Sequence, residues 1–306
     1  MQNVDIIMAT YNGGDYIENQ LLSLFQQTYK NWTLYIHDDG STDQTIQIIK
    51  KYSQIDKRII FIDDVYKGLK VGKNFLHTLA FSKADYAIFC DQDDIWLENK
   101  IEELLKLMLT KDQVDKPVLV YCDGYAWSDK GFIYQESIST NHANKLEDFL
   151  FFNGGYQGCS MMLNRKLIDM VNNYKGYIYH HDDIVSLIAH SFGDVIFLPK
   201  QLMLYRQHEN AVTGNKNFRK SKISSLFNNS GFVVSALHYK VKKDFFNFFY
   251  YDLNERNKEL FLEYFSICEM SSRVNRIINI VKTNFTYGGS KFKIIFKIIF
   301  QDIFSK

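Results

Sequence analysis

The stretch Tyr86-Ala87-Ile88-Phe89-Cys90-Asp91-Gln92-Asp93-Asp94 decides how the rest of this chain is read. An apolar run of this length suits a short buried strand, and three carboxylates follow at its tip. Like charges this close repel one another and lose hydration near a core, so a positive group belongs between them. Carboxylate oxygens suit a hard divalent cation, Mg²⁺ or Mn²⁺, that also holds phosphate groups. The plain alternative is a solvated turn, which does not need three aspartates after a wholly apolar run.

Upstream, short apolar runs alternate with helical periodicities. Val4 to Ala9 reads as a strand ending at Thr10-Tyr11-Asn12-Gly13-Gly14, followed by a helix over 15–27 with Ile17, Leu21, Leu24 and Phe25 on one face. Trp32 to His37 is a second strand, followed by the loop Asp38-Asp39-Gly40-Ser41 and a helix over 45–52. A strand over 59–62 and a helix over 71–82 lead to the acidic stretch. This order predicts an α/β fold with a mainly parallel sheet flanked by helices. In such sheets ligands bind outside the carboxyl ends of the strands, which is where the Thr10, Asp39 and Asp91 loops fall.

Downstream, a helix is expected over 97–109, a strand over 118–122, a helix from Arg165, a helix over 184–190 preceded by His180-His181-Asp182-Asp183, and a strand over 195–198. The glycine-rich Asn153-Gly154-Gly155-Tyr156-Gln157-Gly158-Cys159 suits either a close backbone approach or a plain loop-to-strand turn. Neither GxGxxG after the first strand nor GxxxxGK[ST] is present, which argues against a dinucleotide enzyme or a P-loop ATPase. A GxSxG elbow is also missing.

A chain of 306 residues accommodates one large α/β domain and an appendage. Its four cysteines lack metal-type spacing and fit a reducing cytosol. The N-terminus does not resemble a signal peptide, and apolar runs stay short of the roughly 18 residues of a membrane span. A cytoplasmic location is expected, with nucleic acid excluded as a partner. Net charge near zero hides a division: residues 1–215 carry 20 Lys/Arg against 28 Asp/Glu, and residues 216–306 carry 16 against 7. The expected organisation is one module over 1–215 and a basic, mainly helical region over 216–306 that associates with a membrane or a second copy. Near its end, Lys293, Lys297 and Gln301 form a polar stripe in an otherwise Ile- and Phe-rich helix, a pattern that suits the inner face of an anionic membrane or a packed interface.

The stretches MATYNGGDYIENQLLSLFQQTYKNW, DDGSTDQT, FCDQDDIWLENK, NGGYQGCSMMLNRKL, HHDDIVSLIAHSFGD and YRQHENAVTG, in this order over roughly residues 3–215, resemble family 2 glycosyltransferases of the GT-A fold. DQDDIW and YRQHENAVTG are similar in particular to bacterial rhamnosyltransferases, which build surface polysaccharide from dTDP-rhamnose. The resemblance implies an inverting, metal-dependent transfer from a nucleoside diphosphate sugar to a glycan or polyprenyl-linked glycan. It implies Asp93 as direct ligand of Mn²⁺ or Mg²⁺, Asp91 at the ribose or the metal's water shell, and Asp94 as support. Asp39 would accept the base N3–H, with Thr10, Tyr11 and Asn12 around the nucleotide and Lys73 and Asn74 at the donor. Arg206 and His208 would meet the diphosphate, His208 also completing the metal shell. The acceptor hydroxyl needs a carboxylate base, which position assigns to Asp182 with Asp183 as the alternative. One base without a covalent nucleophile implies inversion. A UDP-hexose donor, a nucleotidyltransferase or phosphohydrolase, and a non-catalytic sugar-nucleotide-binding module are the competing readings.

Overall fold

A computed structural model describes residues 2–113, 115–128, 131–139, 141–207 and 231–304. The first strand, β1 (Val4–Thr10), pairs in parallel with β2 (Trp32–Asp38) on one side and β4 (Tyr86–Cys90) on the other; β3 (Ile59–Ile62) extends the sheet beyond β2. Helices α1 (Ile17–Phe25), α2 (Thr45–Ile55) and α3 (Lys70–Leu79) make the crossovers. Three parallel strands therefore deliver Thr10, Asp38 and Asp91 to the same rim.

Period-two alternation sorts the strand residues into two cores. Ile6, Met8, Ile88 and Cys90 face α1 and α4 (Lys100–Lys111), whereas Ile7, Ala87 and Phe89 face α3. Beyond β4 the sheet turns mixed: β8 (Met161–Asn164) runs antiparallel between β4 and β6 (Val118–Trp127), and β6 pairs in parallel with β9 (Asp194–Arg206).

Both β6 and β9 extend well past the runs 118–122 and 195–198 expected from hydrophobicity. Their later residues pair with each other across polar positions such as Asp123 and Gln201, so backbone pairing rather than apolar content sustains them. The β9 extension also pairs with a two-residue strand, β5 (Ile95–Trp96), which draws the acidic loop against the end of β9. Sequence periodicity cannot show so short a strand.

The helices α6 (Arg165–Asn173) and α7 (His181–Phe192) lie on the α3 face. The chain end adds α8 (Ala236–Phe249), α9 (Glu255–Glu269), α10 (Arg273–Lys282) and α11 (Lys291–Phe300), and strand β10 (Phe232–Val234) pairs with β11 (Asp302–Phe304). Phe245, Phe261, Ile280, Ile294 and Ile298 belong to the same buried cluster as Ile7 and Phe89. The C-terminal helices thus complete the core on the α7 side. Among the described residues, no helix is long and apolar enough to cross a membrane.

The polar stripe expected on α11 is corrected by this packing. Gln301 is buried, Lys297 is half-buried with its ammonium 4.3 Å from the Tyr287 ring centre, and Lys293 alone of the three is exposed. Outward positions instead carry Phe292, Ile299 and Phe300, because Ile294 and Ile298 occupy the core side.

Candidate functional site

Two loops at the rim are fastened by side chains to backbone amides. The Asp38 carboxylate accepts from Gly40 N, Ser41 N, Ser41 Oγ and Thr10 Oγ1, a turn of the kind that Asp forms readily. Asp39 accepts from Leu69 N and Lys70 N at 2.7 and 2.8 Å, tying its loop to the start of α3. Asn12 takes a left-handed φ of 47°, which Asn tolerates, and its Oδ1 accepts from Thr42 N while its own N–H meets Ser41 Oγ. The exposed Tyr11 is held by its backbone, which exchanges two hydrogen bonds with the Gln92 amide. A Cβ on Gly13 would stand 2.2 Å from Gln92 Oε1, so a side chain there would displace this link.

The predicted donor residues on α3 separate. Lys73 is exposed, but Asn74 is buried: its Oδ1 lies 2.6 Å from His37 Nδ1, and its amide faces the carbonyls of Thr10 and His37. Asn74 therefore ties β1 to β2 beneath the rim, as its inward helix position allows.

At the tip of β4, Asp91, Asp94 and the Cys159 thiol place ligand atoms within 4.8 Å of one another. Burial, then the charge of Asp93, pushes the Asp91 carboxyl up to about 7. Burial and the charges of Asp93 and Asp91 hold Asp94 well above the usual carboxylate range. One oxygen of Asp94 is buried without a hydrogen-bond partner among the described residues. Crowded carboxylates with an unmet acceptor fit a divalent cation, which would remove the repulsion that raises both groups. Asp93 is half-buried beside them, and His208 lies outside the described residues.

A positive group does sit at this cluster, and it is part of the chain. Lys100 is wholly buried, its ammonium donating to Cys159 O at 2.7 Å and lying 3.9 Å from the Trp96 ring centre. Its charge acts to lower Asp91 and Asp94 against the larger cost of burial. Sequence reading missed Lys100, although its spacing from Leu104 and Met108 puts it on the apolar face of α4. A lysine at such a position is the signal that could have found it.

Arg206 lies against the acidic turn. Expected to meet a diphosphate, it is buried, with its guanidinium 4.4 Å from Trp127 and 5.0 Å from Tyr16 ring centres. Its Nε donates to Asp93 O at 2.6 Å and its backbone N–H to Asp94 Oδ1 at 3.1 Å, so it braces the acidic turn.

Asp182 and Asp183 belong to the first turn of α7, which starts at His181 instead of Ile184. Asp182 is half-buried; burial first, then Asp183, raises its carboxyl well above the ordinary range, and Asp91's charge adds to the effect. Asp183 is buried and points to the C-terminal helices, its Oδ2 lying 2.9 Å from His238 Nδ1. Its charge also raises Lys242 of α8, whose ammonium burial brings down to about 8.

The glycine-rich segment explains why α7 begins where it does. A Cβ on Gly155 would lie 2.2 Å from Asp182 O, and one on Gly158 2.2 Å from His181 Nε2. His181 itself is buried against Phe75 and Phe89, with its p*K*a brought down to about 3 by burial.

Comparisons with known proteins bear on the family and the fold. The sequence model described as Glycosyl transferase family 2 matches residues 5–170. A dTDP-rhamnosyl transferase of Shigella flexneri, RfbG, is 31% identical over 236 residues, covering 72% of this chain and 78% of that protein. Among solved structures, S. aureus TarS 1-349 in complex with UDP-GlcNAc superposes with a TM-score of 0.59 at 17% identity, over 93% of this chain and 76% of that one. A mannosyltransferase from Pyrobaculum calidifontis, solved with GDP-Man and Mn²⁺, gives a TM-score of 0.52 at 11% identity, over 91% and 74%. The mixed, mostly parallel sheet is that of GT-A glycosyltransferases.

Proposed function

This chain belongs to glycosyl transferase family 2 and is a glycosyltransferase, and from that premise we propose an inverting transfer from a nucleoside diphosphate sugar to a glycan acceptor of surface polysaccharide synthesis. The observation that carries the proposal is the crowding of Asp91, Asp94 and Cys159 at the strand-end rim, where the charge of Asp91 also reaches Asp182. Thr10, Tyr11, Asn12 and Asp39 form the nucleotide side of that rim. Asp39 retains acceptor capacity, since each carboxylate oxygen has a second lone pair.

Asp93, expected as the direct ligand, would hold Mn²⁺ or Mg²⁺ together with Asp91 and Asp94, whose ligand atoms lie within 4.8 Å of one another. The cation supplies charge that stabilises the departing diphosphate. Asp182 takes the proton of the acceptor hydroxyl as that oxygen attacks the anomeric carbon, and its raised p*K*a gives it the basicity this step needs. Asp183 is engaged by His238, so one carboxylate remains for chemistry, in keeping with direct displacement and inversion.

For the donor we favour dTDP-rhamnose, supported by the likeness to RfbG. A UDP-hexose is the second reading, supported by the shared fold of TarS, whose complex holds UDP-GlcNAc. A panel of dTDP- and UDP-sugars, read by nucleoside diphosphate release with Mn²⁺ or Mg²⁺, separates the two. Turnover of UDP-glucose or UDP-galactose without response to dTDP-rhamnose rejects the first.

A peripheral position on an anionic inner membrane surface is favoured by the outward face of the last helices. Phe292 and Phe300 of α11 and Val274 and Val281 of α10 are exposed, with Lys282, Lys291 and Lys293 nearby in sequence. Such a face suits the headgroup boundary, where the lysines meet anionic lipid.

A further inference from the structure

Where the C-terminal helices meet the catalytic sheet, they enclose a cavity of about 410 Å³. One wall is the Gly154–Gln157 segment, whose Gly155 abuts the backbone of Asp182. The opposite wall comes from the chain end: Phe232, Ser235, His238, Tyr287 and Lys297. Asn153 fastens the two walls together, donating to Val233 O at 2.9 Å and accepting from Ser235 N at 2.8 Å.

The lining has a definite chemistry. Tyr179, Tyr287 and Phe232 offer aromatic faces, while Asn141, Ser139 and Gln157 offer amide and hydroxyl groups. Aromatic surfaces with a few converging polar groups suit pyranose rings. Among the described residues, no aspartate or glutamate lines the cavity, yet two basic side chains do. The Lys297 ammonium rests over Tyr287 without a carboxylate partner among the described residues. His238 is fixed by Asp183 through Nδ1, and Nε2 has no hydrogen bond among the described residues. Burial lowers the p*K*a of Lys297, as expected for a cation whose counter-charge is missing.

We propose that this cavity is the acceptor subsite, completed by the C-terminal region, and that it takes a glycan carrying an anionic group, which meets Lys297 and His238 while the sugar rings lie against Tyr179 and Tyr287. The inference rests on the glycosyltransferase reading and adds to it both an address and a substrate class. The shared chemistry is an anion on a sugar, and the anion could be a phosphate ester or a uronate carboxylate.

The test uses the full chain with three probes: an alkyl diphosphate ester of a hexose, a methyl hexuronide and a neutral methyl hexoside. Binding is followed by ligand-observed NMR with nucleoside diphosphate and Mn²⁺ present. At least one anionic probe should bind, at least tenfold more weakly to Lys297→Met, with Lys297→Arg restoring affinity and the neutral probe indifferent to both changes. The native cysteines are all buried, so a maleimide can be directed to Ser235→Cys to plug the cavity. Labelling should abolish probe binding and leave nucleoside diphosphate binding intact.

Absence of binding by both anionic probes, or affinity unchanged in Lys297→Met and in the plugged protein, overturns the inference. Which anionic probe binds decides between phosphate and carboxylate. A wild-type chain that fails to bind any nucleoside diphosphate sugar would instead sink the parent reading.

Discussion

The strand-end rim and the C-terminal cavity hold their polar groups in opposite ways. At the rim, Asp38 and Asp39 are engaged by backbone amides a few tens of residues away at most, and Gln92 clasps Tyr11. The cavity leaves Lys297 and the outer nitrogen of His238 without a protein acceptor among the described residues. Fastened loops give a fixed surface for a nucleotide, common to many donors. A cavity with unanswered charge leaves recognition to whatever enters it. The acidic cluster lies between these extremes, because Lys100 answers part of its charge from below and a cation would answer the rest.

The largest expected effect tests the boundary between the two regions. Asp182→Asn should lower transfer by about three orders of magnitude with donor and metal binding retained, since only deprotonation of the acceptor is lost. Asp183→Asn should act mainly on α8 docking, seen as a lower melting temperature with a smaller loss of turnover. A reversed order in turnover would make Asp183 the base and break the assignment of Asp183 to the C-terminal side.

Next in size is the response of the acidic cluster. Asp94→Asn should abolish metal-dependent nucleotide binding in calorimetry, and binding equal to wild type would remove the metal from this site. Lys100→Met should cost about 1–3 kcal/mol in denaturant unfolding, because the Cys159 carbonyl loses its donor and the acidic cluster loses a nearby positive charge. Unchanged stability would show that Lys100 does not balance the cluster.

The pH dependence follows from the raised carboxyl of Asp91. Its folded p*K*a of about 7 lies above the unfolded value, so the folded state binds more protons between the two. Chelator-treated protein should therefore lose stability as pH rises from about 4, where a free Asp titrates, to about 7. Mn²⁺ should cancel the slope, and its affinity should rise over the same interval as the carboxyl ionises. A flat melting-temperature profile without metal would contradict the assignment.

The smallest effect concerns the outward face of α11. Phe292→Ser with Phe300→Ser should weaken sedimentation with anionic vesicles about tenfold or more, the loss of two apolar contacts. The melting temperature should hardly move, since both rings are exposed. Unaltered vesicle binding together with loss of a concentration-dependent dimer would assign this face to a second copy. Deleting residues 290–306 is a poorer experiment, because Ile294 and Ile298 are core residues and their removal should unfold the region.

The amino-acid order alone determined the alternation of strands and helices, the shared rim and the acidic tip of β4. These features depend on local period and on chain neighbours: Tyr86 to Cys90 is apolar, and Asp91 follows whatever the rest of the molecule does. Only the tertiary structure decided which of two adjacent aspartates meets His238, because a helix turns successive residues by about 100° and α8 lies on one side of α7. It also decided that Asn74 and Arg206 brace the scaffold, that Lys100 underlies the carboxylates, and that Lys297 faces a cavity instead of a membrane. Each of these outcomes depends on segments distant in sequence packing against one another, and burial of a polar group depends on which partner arrives. Periodicity marks a helix face; the neighbouring element determines what that face meets.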